Sequence, residues 1–344
     1  MQRSLTLLFV LLVSRVIAQD DVSGKTAVTY EVVYDDPSAV NKLFIGFQPF
    51  YGEVFATNPN AGFGLEATYF YKNKFDLKAH LRKSYSSSFY DFARDLAIKN
   101  SNVQNRPEVF NYFELGGTYH FRDFEQTSKT TMVLFKDGFK GNKWASMLPN
   151  ETIVPCKVRK IYGIRGGTLI WNSTFDLSQA LKSQGLTNAA LVNSSNVGLP
   201  VSYTDTKGIT QDFRAFSNIY SADIYVGGSM TWIRNIAVTF DKYDPAVDDG
   251  IMSVFFDLIV APYMKVDDVQ FQNDQYQIDP LKTRKVGFRA GIDGRFNRVL
   301  SWGYGGEFGY RPSVAHRGFF AMFKISIPLY GTNLDNKVEA YGKE

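Results

Sequence analysis

Apolar and polar residues alternate strictly along many segments of the chain. In the segment 63–72, Phe63, Leu65 and Tyr69 lie on one parity and Glu66 lies on the other. A period of two is typical of β-strands whose two faces meet different environments. The pattern therefore predicts an all-β chain. The same alternation returns in five further segments, at 75–82, 113–122, 286–296, 302–311 and 319–329.

The alternating segments are about ten residues long, which suits a tilted strand that crosses a bilayer. A soluble β-sandwich also alternates, but its strands are usually about five or six residues long. We therefore predict an antiparallel up-and-down transmembrane β-barrel of 12–14 strands over residues 42–330. Twelve strand candidates are 42–57, 62–72, 74–84, 109–124, 129–136, 156–172, 216–232, 236–243, 252–264, 284–297, 300–311 and 317–330.

The segment 173–215 interrupts this series, because counting strands back from the C-terminus puts it on the periplasmic side, where turns are short. Two explanations stay open, namely that it contains two further strands or that it folds as a plug. The aromatic content supports the membrane prediction. The chain has 29 Phe and 20 Tyr, and pairs such as Trp302 and Tyr310 stand at strand ends, as interfacial girdles do.

The N-terminus predicts export. Arg3, the apolar run 5–13 and the small residues before Gln19 are typical of a secretory signal over residues 1–18. Residues 19–41 and the polar tail 331–344 are expected to lie in the periplasm. Cys156 is the single cysteine, so no intrachain disulfide can form. The formal net charge of +4 is too near neutral to indicate nucleic acid as a partner.

With the signal, the dyad repeat, the aromatic strand ends and the final strand 317–330 in place, the chain resembles the outer-membrane β-barrels of Gram-negative bacteria. The resemblance covers about residues 42–330. It implies a location in the cell outer membrane, with outer-membrane lipid and other envelope proteins as partners. One departure is that a mostly polar segment of fourteen residues follows Tyr330, where many such barrels end on an aromatic residue.

The charged residues recur on one parity within each strand, which places them inside a closed barrel. We predict that they form one ion-pair network that largely fills the lumen, because buried charges must pair. Arg159 and Arg165 are a candidate anion-selective constriction, and pairing with lumen carboxylates such as Glu114 and Glu307 is the alternative that we favour. The network residues are Glu66, His80, Arg82, Glu114, Arg122, Arg289, Arg295, Glu307 and Lys324.

No catalytic motif, metal-ligand spacing or cofactor-binding motif occurs in the sequence, so we predict no enzyme activity, catalytic residue, metal or cofactor. Three functions remain open. A non-enzymatic scaffold or subunit of a larger envelope assembly ranks first, because a charge-filled lumen of this size is occluded. A channel for small solutes is the second. The third is an outer-membrane hydrolase that uses a lumen histidine, for example His80 with Ser84.

Overall fold

A computed structural model describes residues 28–72, 74–88, 90–134, 150–204, 207–241, 243–297 and 302–331. The signal predicted for residues 1–18 and the polar tail lie outside these ranges, except for Gly331. In chain order the elements are β1 (Tyr30–Asp35), β2 (Leu43–Phe55), β3 (Asn60–Tyr71), β4 (Phe75–Ser84), α1 (Phe92–Asn100), β5 (Asn111–Leu134), β6 (Asn150–Asp176), α2 (Leu177–Ser183), β7 (Val192–Asn193), β8 (Ser202–Thr204), β9 (Thr210–Asp212), β10 (Phe216–Ile233), β11 (Ile236–Phe240), β12 (Tyr243–Asp248), β13 (Gly250–Val266), β14 (Val269–Phe271), β15 (Asp274–Gln277), β16 (Thr283–Arg284), β17 (Val286–Phe296), β18 (Gly303–Tyr310), β19 (Ser313–Val314) and β20 (Phe319–Gly331).

Ten of these strands form a closed antiparallel barrel. Each barrel strand pairs with the next one along the chain, and β20 pairs with β2 to close the ring. The predicted all-β, up-and-down barrel is therefore confirmed. The predicted count of 12–14 strands is wrong, because the barrel has ten. The barrel order is β2, β3, β4, β5, β6, β10, β13, β17, β18 and β20.

Three of the twelve strand candidates account for the difference of two strands. The segments 109–124 and 129–136 are parts of a single strand, because β5 runs without a break from Asn111 to Leu134 and pairs with β6 along its length. The polar residues between the two segments had the composition of a turn. The candidate 236–243 contains the whole of β11, which lies outside the barrel and pairs with β1 and β12.

The barrel strands present apolar side chains outward and polar side chains inward. In the pairing of β3 with β4, Leu65 stands opposite Leu81 and is exposed, whereas Glu66 stands opposite His80 and is buried. The exposed apolar residues surround the barrel and are called the outer apolar belt. It includes Leu65, Leu77, Leu81, Leu115, Ile164, Ile224, Val226, Phe256, Leu258, Tyr263, Phe288, Phe308, Phe323 and Ile325.

The two ends of the barrel differ. We call the end at which β2 begins and β20 finishes the base, since Phe44 pairs there with Gly331. The opposite end is the cap, and the connections 85–110, 177–215 and 267–285 all lie on it. With ten strands, the segment 173–215 therefore enters the cap, away from the termini. The strand count from the sequence put this segment at the same end as the C-terminus, because the candidate 236–243, which contains β11, was counted as a barrel strand.

The cap connections fold over the cap end of the barrel. The segment 177–215 contains α2, a short 3-10 helix and three short strands outside the barrel, so the folded-plug alternative is the one observed. Within the described residues, no helix is long and apolar enough to cross a membrane. The cap shares one apolar core with the adjoining lumen, which includes Phe55, Phe110, Trp171, Phe175, Leu177, Leu181 and Phe213.

At the base, the ends of β5 and β6 extend beyond the barrel as a two-stranded arm. The arm packs against the small sheet of β1, β11 and β12. Asp35 on β1 ties the sheet to the arm, because its carboxylate accepts a hydrogen bond from the Lys157 amide at 2.9 Å. A second apolar core fills the space between them and includes Met132, Leu134, Val154, Cys156, Ile236, Val238 and Phe240. We call this unit the base module.

Candidate functional site in the barrel lumen

Charged side chains fill the middle of the lumen. They occupy alternate positions of the barrel strands, namely those whose side chains point inward. They form two adjoining groups. The central cluster is made of Arg82, Glu114, Arg165, Asp257, Arg289 and Glu307. The base-side cluster is made of Glu66, Lys78, His80, Asp293, Arg295 and Lys324.

Arg289 is the hub of the central cluster. Its Nη2 donates to Glu114 Oε1 at 2.5 Å, and its Nε donates to Asp257 Oδ2 at 2.9 Å. Its Nη1 donates to Glu307 Oε2 at 3.2 Å. All four side chains are buried. One guanidinium group therefore joins three carboxylates that stand on three different strands, β5, β13 and β18.

Two further arginines complete the central cluster. Arg82 Nη2 donates to Glu307 Oε1 at 2.8 Å. Arg165 binds Asp257 with two hydrogen bonds, from Nε at 3.0 Å and from Nη2 at 3.2 Å. Three guanidinium groups thus face three carboxylates, so the charges cancel without a bound ion. Planar, two-pronged pairs of this kind are the strong form of a buried ion pair.

The base-side cluster lies nearer the base. Lys324 Nζ donates to Glu66 Oε2 at 2.7 Å and lies 3.1 Å from Asp293 Oδ1. Lys78 Nζ lies 3.6 Å from Asp293 Oδ2. Because β4 and β17 are diametrically opposite in the ring of ten strands, the contact between Lys78 and Asp293 crosses the lumen. Arg295 Nη2 is 3.9 Å from Glu66 Oε1.

On the cap side of the central cluster, the lumen is closed by aromatic side chains around one further ion pair. Arg311 Nη2 donates to Glu53 Oε1 at 2.5 Å, and both side chains are buried. The guanidinium carbon of Arg311 lies 4.8 Å from the ring centre of Phe55 and 4.5 Å from that of Phe320. The lumen is therefore filled by an apolar layer as well as by two layers of charge.

Eight of the nine residues proposed for the lumen network lie in these clusters, and Arg122 does not. A β-bulge at Phe121 shifts the register of β5 against β6, so the residues beyond it change faces. Arg122 is exposed, and its guanidinium group stacks over Phe124 at 4.8 Å. The error arose from continuing one alternation across a bulge.

The two proposed constriction arginines do not act together. Arg165 belongs to the central cluster, whereas Arg159 pairs with Asp123 through two hydrogen bonds near the base. Six residues separate them along β6, which is about 20 Å of strand. Neither faces an open passage among the described residues. The favoured alternative, that both arginines pair with carboxylates, is the arrangement observed, but the partners are Asp257 and Asp123 rather than Glu114 and Glu307, which were given as examples.

Sequence reasoning missed Asp257, the acidic partner shared by Arg165 and Arg289. It lies within an apolar stretch, Val254 to Val260, in which the parity of the strand cannot be read from composition. A single carboxylate in such a stretch was the available signal, because an isolated charge there needs a buried partner. Lys78 and Asp293 were on the correct parity but were not included in the network.

The residues proposed for hydrolysis do not meet. His80 and Ser84 are four residues apart on one strand, a separation of about 13 Å. His80 Nδ1 lies 3.7 Å from Glu66 Oε2, and Ser84 Oγ is buried. A second histidine, His120, places Nε2 3.0 Å from Asp76 Oδ2 beside a cavity of about 20 Å³. That volume is about one water molecule.

The nearby hydroxyl groups are already paired, since Thr231 Oγ1 and Ser253 Oγ lie 2.7 Å apart. Across the described ranges, no group of three or more His, Cys, Asp or Glu side chains is placed to hold a metal ion. The sequence matches no known protein family, and no curated protein is significantly similar to it.

Proposed function

We propose that this chain is an integral outer-membrane β-barrel with a closed lumen, which serves as a non-enzymatic scaffold or subunit of a larger envelope assembly. The observation that carries the proposal is the combination of an exposed apolar surface around the barrel with a lumen filled by paired charges. Soluble monomers rarely expose a contiguous apolar surface of more than a few hundred Å². A lipid environment gives the outer apolar belt a partner.

The orientation follows from the two ends. Outer-membrane barrels carry short turns on the periplasmic side and longer loops outside. Both ends of the barrel chain, Leu43 and Gly331, lie at the base, and the connections 85–110, 177–215 and 267–285 form the cap. The base module would then face the periplasm, and the cap would face the exterior. The predicted signal over residues 1–18 supports export to this location.

A scaffold role is favoured over transport because passage of a solute would require several buried ion pairs to separate. Removing one partner of a buried pair can cost about 3–5 kcal/mol. The central cluster, the base-side cluster and the Glu53–Arg311 pair would all have to open together. A barrel with this interior instead provides a rigid support for the cap and the base module.

Site-specific photo-crosslinking in intact envelopes tests the proposal. A photoreactive residue at Ile153, which is exposed on the arm of the base module, is expected to give discrete protein adducts. The same residue at Phe323 in the outer apolar belt is expected to give lipid adducts. Recovery of the chain in the soluble fraction, or the absence of protein adducts at Ile153, would contradict the proposal.

A further inference from the structure

A polar groove of about 980 Å³ opens at the rim of the cap. Its walls come from the connection between β4 and β5, from the start of the connection between β13 and β17, and from the cap ends of barrel strands. We call it the cap groove. Its lining includes Lys83, Arg94, Gln104, Arg106, Lys265 and Gln270.

The walls of the cap groove are fixed by hydrogen bonds between separate loops. The backbone N–H of Gln104 donates to the backbone carbonyl of Gln270 at 2.8 Å. The backbone N–H of Gln270 donates to Asn105 Oδ1 at 2.9 Å. Asn218 Nδ2 donates to the Arg106 carbonyl at 3.0 Å. These bonds bring the two loops together before any ligand arrives, which lowers the entropic cost of binding.

The basic side chains of the groove are largely unpaired. Among the described residues, Lys83, Arg94 and Arg106 form no ion pair with a carboxylate, although Asp91 interacts electrostatically with Arg94 and Lys265 lies 3.0 Å from Asp267. Arg94 Nε is buried and has no hydrogen-bond partner among these residues.

The acidic side chains of the groove are already engaged. Glu108 accepts a hydrogen bond from Asn172 Nδ2 at 2.8 Å, and Asp268 accepts one from Gln275 Nε2 at 2.7 Å. Within the described part of the chain, the polar side chains of the groove without a hydrogen-bond partner are therefore those of Lys83, Arg94 and Arg106 and the side-chain amides of Gln104 and Gln270, while the engaged carboxylates keep their negative charge. Cations of this kind bind phosphate, and amides bind the hydroxyl groups of a sugar.

The groove also lies directly beyond the outer apolar belt. Lys83 follows Leu81 by two residues on the outward face of β4, and Lys265 follows Tyr263 in the same way on β13. Two residues of strand correspond to about 7 Å. The cations therefore occupy the level at which the headgroups of a surrounding lipid leaflet would begin, if the belt lies in a membrane as proposed above.

We propose that the cap groove binds the phosphorylated sugar headgroup of a membrane glycolipid. Lys83, Arg94 and Arg106 hold the phosphate, and Gln104 and Gln270 contact the sugar hydroxyl groups. The apolar chains of the same lipid then lie against the belt below Lys83. The source of the ligand rests on the proposed membrane embedding, whereas its phosphate and sugar chemistry rests on the groove alone.

Binding measurements on the full chain test this inference with a matched pair of variants. The groove variant combines Lys83→Gln, Arg94→Gln and Arg106→Gln. The control combines Lys99→Gln, Lys182→Gln and Lys282→Gln, which removes three exposed cations of the cap that do not line the groove. Heat-modifiable gel mobility verifies that each barrel is folded before binding is measured.

Two probes distinguish a lipid headgroup from a free phosphorylated sugar as the ligand. A diphosphorylated glucosamine-disaccharide lipid is titrated in nanodiscs, and glucosamine 1-phosphate is titrated against detergent-solubilised protein. We expect the wild type and the control to bind both, and the groove variant to bind each at least about tenfold more weakly, because charge-assisted bonds to phosphate are lost. The same disaccharide lipid without phosphate is expected to bind no better to the wild type than to the groove variant.

Equal affinities of the wild type and the groove variant for both phosphorylated probes would overturn the inference. If glucosamine 1-phosphate binds and the lipid does not, the ligand of the groove is a free phosphorylated sugar and not the headgroup of a lipid, which would overturn that part of the inference. A chain that folds but does not enter nanodiscs would contradict the membrane embedding instead, and the titration with glucosamine 1-phosphate would still decide whether the groove binds a phosphorylated sugar.

Discussion

Arg289 and Glu114 are 175 residues apart in the chain, and their side chains meet inside the barrel with Nη2 and Oε1 2.5 Å apart. Their strands, β17 and β5, are separated by three intervening strands on one side of the ring and by five on the other. The pair therefore spans the lumen from wall to wall. A contact of this kind both closes the passage and ties distant parts of the chain together.

Replacing the hub of the central cluster tests how much this contact stabilises the barrel. Arg289→Met leaves the carboxylates of Glu114 and Asp257 buried and short of a partner, so we expect a loss of about 3–5 kcal/mol in the free energy of unfolding. Arg284→Met is the control. Arg284 is exposed and stacks over Tyr310, so its loss is expected to cost about 1 kcal/mol or less.

Denaturant unfolding of the barrel in lipid vesicles, followed by tryptophan fluorescence and gel mobility, measures both variants. Equal stabilities of Arg289→Met and the wild type would show that the central cluster does not hold the barrel closed.

A second pair of substitutions locates the membrane. Phe323 in the outer apolar belt and Ile153 on the arm of the base module are both exposed, at 52% and 62% of their surfaces. Phe323→Arg is expected to impair insertion, because an arginine at mid-bilayer on the lipid face costs about 2–4 kcal/mol. Ile153→Arg is expected to be tolerated, because the arm lies outside the barrel. The amount of folded protein in outer-membrane fractions measures this difference, and equal tolerance would mean that the belt does not face lipid.

The base module is expected to unfold separately from the barrel. Cys156 and Val238 are both buried in its apolar core, and the native thiol should therefore react slowly with a thiol reagent. Val238→Asp puts an unpaired charge into that core, which costs several kcal/mol. We expect fast labelling of Cys156 in this variant with the gel mobility of the folded barrel unchanged.

Thr127→Asp, at an exposed position of the arm, is the control for this experiment and should label as slowly as the wild type. If Val238→Asp also abolishes the folded barrel, the base module and the barrel form one cooperative unit.

The cap contains a carboxylate that makes its stability depend on pH. Asp91 accepts hydrogen bonds from Asn58 Nδ2 at 2.7 Å and from the Phe110 amide at 2.9 Å, but burial dominates and raises its pKa above the usual value. When the pH lies between the pKa of Asp91 in the unfolded chain and its higher pKa in the folded protein, the folded protein binds the proton of this carboxyl group more tightly than the unfolded chain does. Stability should therefore fall as the pH rises through this window.

Asp91→Asn removes this titration. Thermal unfolding midpoints of the two proteins, measured from about pH 4 to pH 7, should show the wild type losing stability relative to Asp91→Asn as the pH increases. A difference between the two midpoints that stays constant over this range would contradict the assignment.

The sequence could predict the barrel and the facing of its side chains because alternation is a local property of each strand. Glu66 and Lys324 were placed inside the barrel by parity alone, and they bind each other there. Parity could not reveal which residues meet across the lumen. The contact between Lys78 and Asp293 depends on strand number and ring order, and these depend on whether β11 belongs to the barrel.

Local irregularities account for the other errors. The bulge at Phe121 carries no marker in the residues around it, and it moved Arg122 out of the lumen. The cap groove escaped prediction for a different reason. Gln104 and Gln270 come from loops far apart in the chain, and only the folded cap places them side by side.

Planar bilayer recording of the purified full-length chain tests the closed lumen most directly. The paired charges of the central cluster and the aromatic layer around Arg311 predict no stepwise ionic current at moderate voltage, from protein that is shown to be folded and inserted. Steady conductance steps of uniform size that scale linearly with voltage would contradict the account, because they require a continuous water-filled passage through the barrel.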